Sequence, residues 1–67
     1  MNLFVNDIVE SISDSFTSGE KFQITNLKTI SGNLHATITN IRDKNSEFTV
    51  ALSVLEDKNR FKVVKKF

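Results

Sequence analysis

The chain of 67 residues has no cysteine, no proline, no tryptophan and no tyrosine, only two glycines and a single histidine. Each absence closes a route. Without cysteine no disulfide can staple a small fold, and no thiolate can act as a nucleophile or a zinc ligand. The lone His35 cannot anchor a zinc site without unusual carboxylate help, and in a predicted strand among threonines it reads as an exposed structural residue, not a catalytic base. Gly19 and Gly32 stand apart, so no glycine-rich phosphate loop exists. The missing tryptophan and tyrosine remove the usual platforms for stacking bases. No stretch approaches the roughly 18 apolar residues of a membrane span. Residues 1–20 lack any Lys or Arg, and Asn6, Asp7 and Glu10 interrupt their apolar residues, unlike a secretory signal. The expected setting is a reducing cytoplasm, with no membrane partner, no metal and no cofactor.

What is present is a charge gradient. Residues 1–20 carry Asp7, Glu10, Asp14 and Glu20 and no base, whereas residues 58–67 carry Lys58, Arg60, Lys62, Lys65 and Lys66 and no acid. The middle is balanced, so the formal net charge of +1 conceals an acidic start and a basic end. Asn, Lys, Ile and Phe are abundant, a bias common in AT-rich genomes that admits a phage or other mobile element as the source.

Periodicity predicts the fold. At about 100° per residue, Phe4, Val5, Ile8, Val9, Ile12 and Phe16 fall in one arc, which predicts an N-terminal amphipathic helix capped near Gly19. From Lys21 the period becomes two. Phe22 and Ile24 open a first strand, with a bulge or bend expected over 26–30. Ser31-Gly32-Asn33 signals a hairpin turn, and Leu34, Ala36 and Ile38 define a second strand. Asp43-Lys44-Asn45-Ser46 is a second turn. Phe48, Val50, Leu52 and Val54 alternate with Thr49, Ala51, Ser53 and Leu55 in a third strand. After a turn at Glu56-Asp57-Lys58-Asn59, Phe61 and Val63 begin a fourth. The expectation is a single α+β domain over 1–67: the N-terminal helix packed in two layers on a four-stranded antiparallel meander sheet, αββββ, with the first and fourth strands as edges.

Three surfaces then compete for function. The polar face of the helix would present Asp7, Glu10 and Asp14 to a basic protein surface. The sheet face away from the helix would present Thr37, Thr39, Ile41, Ala51 and Leu55 to a partner or to a second copy in a homodimer. Arg60, Lys62, Lys65 and Lys66 could neutralise phosphates, making a nucleic-acid-binding module the alternative, although basic residues on a last strand also protect a sheet edge. Asp43-Lys44-Asn45-Ser46-Glu47 resembles the start of a calcium loop but has Phe48 at the sixth position and Val54 at the twelfth, where such loops need Gly and Glu. The expected function is therefore non-enzymatic: a protein-binding regulator or inhibitor that occupies a surface of a larger protein.

Overall fold

β-branched residues are dense in the first dozen positions, and the chain uses Ile8 and Val9 in a strand. The computed structural model describes residues 3–12 and 19–66. In chain order these form β1 (Ile8–Ser11), β2 (Lys21–Ile30), β3 (Asn33–Asn40), β4 (Glu47–Ala51), a one-turn helix α1 (Leu52–Glu56) and β5 (Phe61–Lys65). All neighbouring strands are antiparallel, and the sheet order is β4-β3-β2-β1-β5.

This overturns the expected αββββ arrangement. The described part of the segment read as an amphipathic helix contains β1, and the only described helix lies near the other end, at Leu52–Glu56. The helical stripe fails on burial: Phe4, Val5 and Ile12 are exposed, whereas Val9 and Ser11 are fully buried. That is a period of two with a serine in the second inward position. Phe16 and Asp14 lie outside the described residues. Gly19 does adopt a left-handed φ of 87°, but it caps no described helix; its N–H donates to the Ser11 carbonyl at 2.8 Å as the chain returns toward β2.

A second correction concerns Leu52 to Leu55, read as the end of a strand. Leu52 and Leu55 are both buried, which a strand's alternation forbids and a helical i, i+3 spacing provides. The chain therefore turns out of β4 into α1, which packs against β3, β4 and β5. The expected first strand is also no edge: β2 lies between β1 and β3, and the edges are β4 and β5.

The hairpin at Ser31-Gly32 matches its sequence signal. Ile30 pairs with Asn33, and both intervening residues have positive φ, 52° at Ser31 and 82° at Gly32, as a two-residue type I′ turn requires. The β3–β4 turn is held by Asp43, whose carbonyl accepts the Ser46 N–H at 2.9 Å and whose carboxylate accepts from the Asn45 N–H and the Ser46 hydroxyl. The irregularity expected within 26–30 sits one residue earlier: Ile24 pairs with Ile38 and Asn26 with Thr37, leaving Thr25 as the extra residue. A second bulge leaves Val64 extra in β5, since Val9 pairs with Val63 and Ile8 with Lys65.

One sheet supplies most of its own core. Buried apolar side chains come from β1 (Val9), β2 (Phe22, Ile24), β3 (Ala36, Ile38) and β5 (Phe61), with Leu52 and Leu55 of α1 and Leu3 added. α1 packs against both edge strands, β4 and β5, and its Leu52 and Leu55 join this core. Phe22 meets Phe61 and Phe48 edge to face, at centroid separations of 6.4 and 5.9 Å. Each such pair contributes about 0.5–1.5 kcal/mol beyond its burial. Strand parity misplaces Phe48 and Val63 as core residues, since both are over 40% exposed, Phe48 on the edge strand β4 and Val63 beside the β5 bulge.

Candidate binding groove beside the last strand

The acidic surface expected on the helix is dispersed. Asp7 is buried at the end of a turn in which its N–H donates to the Phe4 carbonyl at 3.1 Å. Asn6, at φ 81°, holds the third position of that turn, where Asn and Gly are preferred. The Asp7 carboxylate accepts the Phe4 N–H at 3.0 Å and the Lys66 ammonium. Glu10 lies on β1, opposite Lys62 on β5. Asp14 lies outside the described residues.

The sheet-face set is likewise divided. Leu55 is 2% exposed in the core, and Thr37 is buried. Thr39 and Ala51 are half-buried, on β3 and β4, and Ile41 is exposed just beyond β3. The five residues therefore do not form one open face.

The basic residues do share a region, on β5 and just to either side of it, but carboxylates face Arg60, Lys62 and Lys66. Arg60 Nε lies 3.4 Å from Asp57, Lys62 Nζ lies 4.0 Å from Glu10, and Lys66 is bonded to Asp7. Lys65 pairs with Ile8 across the ladder. His35 Nδ1 donates to the carbonyl of Asn33 at 2.9 Å, which ties the imidazole to its own strand. Among the described residues, no three His, Cys, Asp or Glu side chains converge as a metal site would require, and no helix is long and apolar enough to cross a membrane.

Among the described residues, a groove of about 450 Å³ lies between the end of α1 and β5. Leu3, Leu55, Phe61 and Val63 supply apolar lining, and Lys58, Lys62 and Glu56 supply its charged groups. The helical turn creates it by carrying the chain away from β4 and delivering it to β5 through Asp57, whose carbonyl accepts the N–H groups of Arg60 and Phe61 at 2.9 and 3.0 Å. A second, more polar hollow of about 670 Å³ lies between the start of β3 and α1, beside His35 and Ser53. Sequence reasoning missed Leu3, Glu56, Lys58, Phe61 and Val63 as groove residues. The signal for Lys58, Phe61 and Val63 was their position on or beside an edge strand; Leu3 gave none, because it falls outside the apolar arc of the expected helix.

These features define a small antiparallel β-domain with an apolar groove on a basic strand edge. No family model, curated protein or solved structure matches the chain.

Proposed function

We propose that the protein is a non-enzymatic binding module that regulates or inhibits a larger protein by engaging it through the α1–β5 groove. The observation that carries this reading is the groove itself: an exposed Val63 above buried Leu3, Leu55 and Phe61 beside a sheet edge, with lysines at its margin. Interfaces of this kind place an apolar centre within a polar rim. The pairing of Arg60, Lys62 and Lys66 with carboxylates counts against the nucleic-acid alternative, because those cations already have anionic neighbours.

The test is site-specific photo-crosslinking in cells that express the protein. A photoreactive phenylalanine analogue replaces Lys58 at the groove or, as a control, Asn45 in the β3–β4 turn. A discrete protein adduct from position 58, absent from position 45 and abolished by Val63→Glu, supports the reading. No adduct, or the same adducts from both positions, overturns it.

A further inference from the structure

The hydrogen-bond register of β5 determines what borders the groove. Ile12 donates its N–H to the Arg60 carbonyl at 2.8 Å, and Glu10 pairs with Lys62 two residues along. Hydrogen-bonded and non-hydrogen-bonded pairs alternate along an antiparallel ladder. Residue 62 therefore turns its backbone N–H and C=O toward β1. Val63, opposite Val9, turns its N–H and C=O the other way, to the side of β5 on which the sheet ends. The groove thus joins apolar side chains to an outward-facing backbone donor and acceptor at Val63.

Resting on the binding-module reading, we infer that the groove takes an extended segment of a partner protein, in which acidic and apolar residues alternate, as an added strand on β5. Strand addition supplies main-chain hydrogen bonds along an exposed edge, with alternate side chains entering pockets. A helix satisfies its own backbone groups and would leave the Val63 N–H and C=O unanswered. β5 spans five residues, so an added segment of about five residues covers it at about 3.3 Å per residue. The acidic character follows from charge. Lys58 and Lys62 border the groove, Lys62 reaching Glu10 only at 4.0 Å with its side chain 60% exposed, and Glu56 is the one carboxylate among the lining residues. Apolar side chains of the segment pack on the exposed Val63, over a floor formed by the buried Leu3, Leu55 and Phe61, and its carboxylates face the lysines.

The experiment is a titration of the isotope-labelled protein, followed by nuclear magnetic resonance, with blocked synthetic peptides in which Glu alternates with Val. Controls are the Lys/Val counterpart and an acidic amphipathic helical peptide of equal charge. Two further versions carry N-methyl groups on one or the other set of alternate amides. The expected result is saturable binding of the Glu/Val peptide, with amide exchange at Val63 slowed at least tenfold. One N-methylated version should lose at least tenfold in affinity while the other keeps it, because only one set of amides faces β5. Lys58→Glu with Lys62→Glu should also weaken binding at least tenfold. Equal binding of the helical or Lys/Val peptide, equal effects of the two methylation patterns, or no binding at millimolar peptide overturns the inference. If the peptides fail while position 58 still cross-links a protein, strand addition falls alone; if both fail, the binding-module reading falls with it.

Discussion

Asp7 and Lys66 lie 59 positions apart in the chain, and the Lys66 ammonium donates a hydrogen bond to the Asp7 carboxylate. The pair is asymmetric: the Asp7 side chain is 1% exposed and that of Lys66 47%. Burial therefore dehydrates one ion heavily and the other only partly, which limits the desolvation cost of the pair. The ammonium also lies 5.2 Å from the centroid of the Phe4 ring, and the same carboxylate oxygen accepts the Phe4 N–H. One acidic residue thus ties the turn before β1 to the chain just past β5.

Lys66→Ala should destabilise the fold by about 1–3 kcal/mol, because it removes a countercharge from a buried carboxylate; the half-exposed lysine keeps the cost below that of a fully buried pair. Asp7→Ala should cost about 2–4 kcal/mol, since it also strands the Phe4 N–H. The double variant should be less destabilised than the two singles added together, by about 1 kcal/mol or more. Urea denaturation of the four proteins measures this directly, and strict additivity would show that the two side chains do not interact.

Gly32 tests the hairpin. A Cβ added there meets nothing within 4 Å, so any cost of Gly32→Ala comes from its φ of 82° alone. About 1 kcal/mol of destabilisation is expected. Ser31→Asn should act in the opposite sense by some tenths of a kcal/mol, approximately, because Asn tolerates left-handed backbone better and Asn-Gly suits this turn. The pair of urea midpoints should move in opposite directions; movement in the same direction contradicts a type I′ turn.

The two signals that misled the sequence reading have a common cause. Apolar residues at 4, 5, 8, 9 and 12 satisfy a helical period, and only tertiary packing shows that Val9 and Ser11 turn inward while Phe4, Val5 and Ile12 do not. The preponderance of Val and Ile there favoured a strand, a preference the periodicity outweighed. At Leu52–Leu55 four successive positions read equally well as alternation or as one helical turn, and a five-residue helix is too short to announce itself. By contrast Ser31-Gly32 and Asp43–Ser46 were legible because turn chemistry is local. The groove was not, because it depends on β5 lying beside β1 at the sheet edge, a pairing between the two ends of the chain that no local pattern encodes.

Leu55 and Ile41 separate the two readings most sharply. Sequence parity assigns both to one open surface, whereas Leu55 is 2% exposed and Ile41 41%. Leu55→Lys should cost at least about 3 kcal/mol by burying a charge and disrupting packing. A domain of this length has a total stability of only about 3–10 kcal/mol, so that variant should be largely or wholly unfolded. Ile41→Lys should fall within about 0.5 kcal/mol of the parent. Circular dichroism melts of the two variants decide the matter, and a well-folded Leu55→Lys protein would place residue 55 outside the core.

The basic end provides the last test. A strand edge that binds nucleic acid must neutralise phosphates, and affinity then falls steeply as salt rises. Here Arg60, Lys62 and Lys66 already face Asp57, Glu10 and Asp7. Any phosphate would have to compete with carboxylates held close by the fold, one of them buried. Fluorescence anisotropy with labelled single- and double-stranded DNA and RNA should therefore show no micromolar binding at near-physiological salt. Binding at low salt should be weak and indifferent to sequence. Lys62→Ala, Lys65→Ala and Lys66→Ala, taken together, should leave that result unchanged at near-physiological salt. Micromolar binding there, lost in the triple variant with a flatter salt dependence, would move the working surface from the groove to the lysines themselves.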